Sequence, residues 1–480
     1  MISRTLRTAK RNGTAFWAGG IAQLALLSGC MTLGPDYEAP EVIVADDWHQ
    51  ELVGSSSADN SQWWATLGDS KLEELIARAA SGNLSLRAAI ARIDESERLL
   101  GIAKGERAPD VNGSGAYQRS KSVAGVLPFV DTIDEFSDAG ASGSWELDFW
   151  GRVRRTVESA QASYEASVES FRDVQVILNA EVAGNYVLLR TLQERLRLAN
   201  SNVDRQQETL KLVEARHRAE LAPDLELEQA RSNLATTQSA VPALMAAIRQ
   251  TINNLSTLLG EQPGPLTSEL LDPGPLPRSG DVLQAGIPAD AVRMRPDVRR
   301  AERALAAQTA RIGIARTALY PNFSLSGNFG YSAVGGSLVD DDNENWAIGP
   351  VFFWNLFDGG RVRNQIAVEE ARTEQALVAY EASVLEALRD TENSLVAYVY
   401  ELERLGFLQR AVEAASTSAD LVRKLYRSGL TDFQNVLDTE RALFVQQDLY
   451  AISEGNVVQN LIATYRAMGG GWSAGAGAAQ

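Results

Sequence analysis

The chain repeats itself. Residues 101–109, GIAKGERAP, return at 313–321 as GIARTALYP, an offset of 212, and residues 151–155, GRVRR, return at 360–364 as GRVRN, an offset of 209. The smaller offset persists to the end, setting Leu221 against Leu430 and Gly260 against Gly469. An internal period constrains architecture before local propensity does, because the fold must be built by repetition. A unit of roughly 210 residues is too long for one solenoid turn, so each copy must hold several elements.

Each copy reads helix, strand, strand, long helix, helix. In the first, a helix is expected from about Leu72 to Ala108, after the exposed-looking pair Trp63-Trp64 and an Asp69-Ser70 start signal, with Pro109 as its stop. In the second, the matching helix begins near Pro296-Asp297 and stops at Pro321. The period then changes to two. Phe323, Leu325, Phe329 and Tyr331 alternate with Ser324, Ser326, Asn328 and Gly330, and Trp346, Ile348, Phe352 and Trp354 alternate with smaller residues. Copy one is weaker, with Ala139, Ala141, Trp145 and Leu147 opposing Asp138, Ser142, Ser144 and Glu146. Such alternation marks half-buried strands. Their lengths near ten residues, aromatic ends and long polar connections (121–135 and 332–344) suit lipid-facing barrel strands. Four strands cannot close a barrel, since the smallest have about eight, so several chains would have to pool theirs.

The segment 152–217 contains no proline, and its 66 positions would span about 100 Å as a helix. Val182, Leu189, Leu196, Val203 and Leu210 repeat every seven, with Leu192, Ala199 and Val213 in the complementary register and Asn185 and Gln206 interrupting. Copy two keeps the register with Tyr398, Leu405, Val412 and Ala419 beside Leu408, Ala415 and Val422. Sustained spacing of this kind predicts coiled-coil packing. The helices 224–259 and 433–468 are about half as long.

The termini and composition limit the chemistry. Arg4, Arg7, Lys10 and Arg11 precede an apolar stretch, Ala15 to Leu27, that is shorter than the ~20 residues of a spanning helix. It ends in Leu27-Ser28-Gly29-Cys30, which resembles a bacterial lipobox whose cysteine is acylated and becomes residue one of the mature protein. Without this leader, 41 Lys and Arg face 62 Asp and Glu, a net charge of −21. That balance argues against binding nucleic acid through phosphates. With two histidines (His49, His217) and one cysteine, sites built from Cys and His have no material. No nucleophile, acid–base pair or phosphate loop stands out, so no cofactor is expected beyond the covalent lipid on Cys30, and no metal site.

Several motifs now converge. Gly34-Pro35-Asp36-Tyr37…Pro40, Asn83, Trp145-Glu146-Leu147-Asp148-Phe149-Trp150-Gly151-Arg152, Gly286-Ile287-Pro288, Arg295-Pro296-Asp297-Val298, Leu356-Phe357-Asp358-Gly359-Gly360-Arg361 and Gly469-Gly470-Gly471-Trp472 stand in order along nearly the whole chain. Together they resemble the outer-membrane factor family of TolC/OprM-type efflux lipoproteins, the NodT-like members included. The resemblance implies a mixed fold, a membrane β-barrel joined to a long α-helical barrel. It implies two pseudo-repeats and four strands per chain, and a homotrimer with a 12-strand β-barrel and a 12-helix periplasmic α-barrel. It also implies an outer-membrane channel of a tripartite system, passive and not an enzyme. Its partners would be a periplasmic adaptor (membrane fusion protein), an RND-type inner-membrane pump and the outer-membrane lipid, with drugs or other small solutes as cargo.

The resemblance places a periplasmic gate at the helix turns. Asp438 corresponds to an acidic residue ringing the closed pore, where three copies of one carboxylate would repel, raise one another's pKa and bind cations. Asn435 stands where some members carry a second acidic ring, so Gln434 or Phe433 would narrow the pore instead. Glu226 corresponds to an acidic residue that holds the inner helix pair through a tyrosine equivalent to Tyr426, with Arg427 as a second partner. Gly429 is a helix stop and Asp432 can cap the next helix, whereas copy one has Glu220 and Pro223 in the corresponding turn.

The expected organisation is a signal peptide 1–29, an acylated extended segment 30–70, repeat one 71–260 with strands about 111–120 and 136–147, and a linker 261–290. Repeat two follows at 291–469, with strands about 322–332 and 345–355 and helices 361–428 and 433–468, and then a flexible tail 470–480. Two other readings stay open on the residues alone: a lipid-anchored periplasmic coiled-coil scaffold that never crosses the membrane, and the exit duct of a type I secretion system.

Overall fold

The computed structural model describes residues 32–41, 45, 47–49, 60–123, 131–278 and 288–472. The elements are α1 (Ser70–Gly82), α2 (Leu84–Gly105), β1 (Asp110–Val123), β2 (Asp131–Glu146), α3 (Arg152–Arg218), α4 (Asp224–Leu258), α5 (Pro265–Leu270), α6 (Pro288–Met294), α7 (Pro296–Thr317), β3 (Asn322–Val334), β4 (Glu344–Phe353), α8 (Arg361–Arg427) and α9 (Phe433–Ala467). The repetition is visible directly: α3 and α8 have 67 residues each, and α4 and α9 have 35 each. Two compact units form, one from residues 1–40, 94–165 and 302–379, the other from 41–93, 166–301 and 380–480.

The first unit carries one antiparallel sheet in the order β1-β2-β3-β4. Its register settles what the alternation means. Ala139 pairs with Tyr331, Ala141 with Phe329, Trp145 with Leu325, Phe329 with Trp346 and Phe323 with Phe352. Because paired residues share a face, these aromatic and aliphatic positions fall on the same side, with Val111 and Tyr117 extending it across β1, while Phe136, Val334, Val351 and Phe353 lie on the other. The opposite side pairs Ser142 with Asn328 and Ser144 with Ser326, and the Ser332 hydroxyl donates to Asp138 at 2.9 Å. Trp346, Ile348 and Phe352 lie about 70% exposed in the single chain. At the base of the sheet, buried Arg155 clamps the segment that would follow the acylated cysteine, donating to the Leu33 carbonyl at 3.1 Å and to Asp36 at 2.7 Å. Cys30 itself lies outside the described residues.

The second unit is helical. Val182, Leu189 and Val213 of the heptad pattern are fully buried, Ala199 nearly so. Several expectations need correction here. The helix anticipated from Leu72 to Ala108 is two helices, broken at Asn83, whose Oδ1 accepts from the Ser85 and Leu86 backbone amides while its Nδ2 donates to the Leu258 carbonyl. The break brings two backbones together: a Cβ on Gly82 would sit 2.3 Å from the Leu259 carbonyl oxygen. Trp63 is buried, not exposed, and stacks on Tyr465 at 5.4 Å. The segment 30–70 is not wholly extended, since Asn60–Leu67 form a 3₁₀ turn, and the linker contains α5 and the start of α6. The tail begins packed: the Gly471 amide donates to the Asn60 carbonyl, and Trp472 is buried under Arg172 at 4.5 Å. Among the described residues no helix is long and apolar enough to cross a membrane.

Candidate functional site

Two helix–helix turns close the second unit, α3 to α4 and α8 to α9. They share one stop geometry. The Leu221 amide reaches back to the Arg216 carbonyl at 2.8 Å, and at the same repeat position the Leu430 amide reaches the Leu425 carbonyl at 2.9 Å. This six-to-one bond needs a residue in the left-handed region just past the helix. Gly429 supplies it at φ +71°, and Glu220 takes the same conformation at φ +61°, where glycine is absent. The next helices start differently. Asp432 caps α9 by accepting the Asn435 amide at 3.1 Å, while Pro223 precedes α4 with no side-chain cap.

Behind the turns lies a small apolar cluster of Val213, Ala230, Tyr426, Phe433, Val436 and Leu437. Tyr426 is at its centre, 2% exposed, with its ring 5.5 Å from that of Phe433. Its hydroxyl donates to Glu226 Oε2 at 2.6 Å, which joins the second repeat to the first across 200 residues. A neutral–ionic bond this short is among the stronger hydrogen bonds a side chain makes. Burial, reinforced by the adjacent carboxylate, pushes the Tyr426 phenol well above its ordinary pKa, so it is held as a donor. Arg216 completes the arrangement, its guanidinium 4.6 Å over the Tyr426 ring and its Nη1 donating to the Tyr426 carbonyl at 2.9 Å.

Of the residues singled out in the sequence, Tyr426 and Glu226 are thus brought together. Arg427 is not part of this link: it is exposed, and the cation on Tyr426 is Arg216. Phe433 cannot narrow an opening, because it is buried against Tyr426. Gln434, Asn435 and Asp438 are exposed on the first turns of α9. Gln434 Nε2 donates to Asp438 at 3.0 Å, and Asn435 Nδ2 donates to Asp432 at 2.8 Å and to the Thr431 hydroxyl at 3.0 Å. Asn435 is therefore turned back onto the cap. Sequence reasoning missed Arg216; the readable signal was its place beside the heptad core, seven residues after Thr209.

Comparison with known proteins follows this geometry closely. The family model described as "Outer membrane efflux protein" matches residues 75–261 and 287–470, two stretches whose starts differ by 212 and whose ends differ by 209. These are the offsets of the internal repeat. The pyoverdine export outer membrane protein OpmQ of Pseudomonas aeruginosa is 31% identical over 94% of this chain and 97% of its own length. The cation efflux system protein CusC of Escherichia coli O6:H1 is 30% identical over 93% and 96%. Among solved structures, the outer-membrane channel OprN superposes with a TM-score of 0.86 at 35% identity, covering 92% of this chain and all of that one.

Proposed function

The chain belongs to the outer membrane efflux protein family and is an outer-membrane efflux channel; we propose that it is the exit duct of a tripartite system with a gate at its two helix turns. One observation carries this reading, the sheet with a predominantly apolar side and a serine- and asparagine-rich opposite side. An apolar side that wide, exposed in the single chain, matches lipid, and the serine- and asparagine-rich side matches a water-filled lumen. Four strands fall short of the roughly eight that the smallest barrels need. Three chains supply twelve, together with the twelve helical columns of an α-barrel.

Solutes pass without chemical change, so the duct is no enzyme and holds no cofactor. Energy comes from an inner-membrane pump of the RND type through a periplasmic adaptor. Relatives named for pyoverdine and for cations support a duct that leaves cargo choice to the pump. The lipid on Cys30 anchors a segment that Arg155 already holds against the sheet unit. At the tip, Tyr426–Glu226 and Arg216 hold the two repeats together in the closed form, and three copies of Asp438 narrow the opening, each steadied by Gln434. With Asn435 folded onto Asp432, one carboxylate ring is expected rather than two.

The test places single cysteines at Val339, in the connection between β3 and β4, and at Ser428 in the turn. A membrane-impermeant thiol reagent on intact cells labels the first and spares the second. Labelling of neither position in assembled protein would favour the periplasmic scaffold.

A further inference from the structure

One buried acid behind the tip takes no part in the contacts above. Glu440, on α9, is 5% exposed. Its Oε1 accepts from the Thr209 hydroxyl of α3 at 2.6 Å and from Arg423 Nη2 of α8 at 3.4 Å, and Arg205 of α3 also faces it. A carboxylate of the second repeat is thereby seated against a helix of the first. The site is one rung of a ladder. Seven residues apart along α3, Arg195 pairs with Asp448 (2.7 and 3.1 Å), Asn202 with Gln447 (2.8 Å), Thr209 with Glu440, and Arg216 with the Tyr426 carbonyl (2.9 Å). Each of these α3 positions flanks the heptad core, so the polar rungs share the period of the apolar seam.

The Glu440 rung differs from the others in its burial and its imbalance. Two guanidinium groups, from α3 and α8, face one carboxylate, and Arg205 Nη1 and Arg423 Nε are both buried without a hydrogen-bond partner. The cations and the threonine favour the ionised acid; burial opposes it and prevails, so the carboxyl titrates above the ordinary glutamate range. In a parted seam water would solvate it and that displacement would vanish.

We propose that Glu440, buried between α3, α8 and α9 against Thr209, Arg205 and Arg423, is a proton-sensing rung that couples protonation to the closing and parting of the seam between the two repeats. The sign follows from linkage: the form with the higher affinity for the proton is favoured by acid. Acidification therefore stabilises the closed seam, and ionisation of Glu440 as pH rises through its raised pKa favours release. The proposal rests on the tip being a gate, but it is independent of the Tyr426–Glu226 link.

The experiment measures opening of purified trimers in planar bilayers from pH 5 to 8. All seam variants carry Asp438→Asn, so that the exposed acid does not titrate. Acid should lower the opening probability, by about tenfold for each unit separating the closed and open pKa values. Adding Glu440→Gln flattens the profile. Adding Thr209→Val, which removes one bond to the ionised form and preserves the side-chain shape, moves the midpoint to higher pH. A Glu440→Gln profile as steep as that of its parent, or a Thr209→Val midpoint that moves down or stays in place, overturns the proposal. Tyr426→Phe run alongside separates the two ideas: if it too leaves opening unchanged, the gate reading itself fails.

Discussion

The two helix turns occupy equivalent positions in the repeats and close with the same backbone bond, yet they are built from opposite materials. The α8–α9 turn has glycine in the left-handed position and a bonded aspartate cap. The α3–α4 turn forces Glu220 into that conformation and begins its next helix at an uncapped proline. Duplication preserved the geometry and let the chemistry diverge. The turn with lower backbone strain carries Gln434, Asn435 and Asp438, while the strained one contributes Glu226, the acceptor that ties the pair.

Substitutions in either turn test the asymmetry. Exchanging the left-handed residues has the largest effect: Gly429→Ala should destabilise the α8–α9 turn by about 1–2 kcal/mol, the cost of the left-handed region for a residue with a Cβ. Glu220→Gly should relieve a similar strain, less the ~0.5–1 kcal/mol that glycine loses to chain entropy, leaving it near neutral or slightly stabilising. Urea unfolding of assembled trimers reads both, and equal costs in the two turns would remove the asymmetry. Asp432→Ala should cost about 1 kcal/mol by orphaning the Asn435 amide, whereas Pro223→Ala, with no cap bond to lose, should cost less; hydrogen exchange in the first turns of α9 and α4 measures the difference. Smallest is the pair His217–Asp224, 3.4 Å apart with Asp224 91% exposed and His217 half-buried, its Nδ1 3.1 Å from the Ala222 carbonyl. Asp224→Asn, which removes only the exposed charge, should change stability by less than about 0.5 kcal/mol, checked in the same urea series.

Much of the architecture was legible because its signals are periodic. Strict alternation at 323–331 and the seven-residue spacing from Val182 to Leu210 read as strand and coiled coil without any knowledge of neighbours. The weak copy-one strand has the expected face, since Trp145 and Ala141 share a side with Leu325 and Phe329, but not the expected bounds: β1 runs to Val123 and β2 starts at Asp131, so both strands extend into the expected 121–135 connection. What stayed hidden depends on contacts distant in sequence. The break at Asn83 is tied to the Leu258 carbonyl 175 residues away, and its local signal, Gly82 followed by an asparagine that caps the Ser85 and Leu86 amides, was overrun by the longer helical pattern. Trp63 looked exposed because its partner, Tyr465, lies at the other end of the chain. At the tip, Tyr426 and Glu226 could be paired by resemblance, but Arg427, expected as a second partner for Glu226, is exposed and makes no such contact. The cation at this site is Arg216, on the helix that precedes the other turn, and it lies on the Tyr426 ring. Side chains one residue apart on a helix point about 100° apart, so adjacency to Tyr426 was a poor guide to contact with it.

In the proposed gate, the part-buried hydroxyl–carboxylate bond between Tyr426 and Glu226 ties the two repeats in the closed tip. Tyr426→Phe removes that bond and leaves the ring packed on Phe433 and under Arg216. A hydrogen bond to a charged group contributes about 1.5–3 kcal/mol, enough to shift a closed–open balance by roughly ten- to a hundredfold. Single-channel recording of the Tyr426→Phe trimer is the direct measurement. Conductance and open time well above those of the parent protein are predicted, and parental values in a correctly assembled trimer would contradict the account.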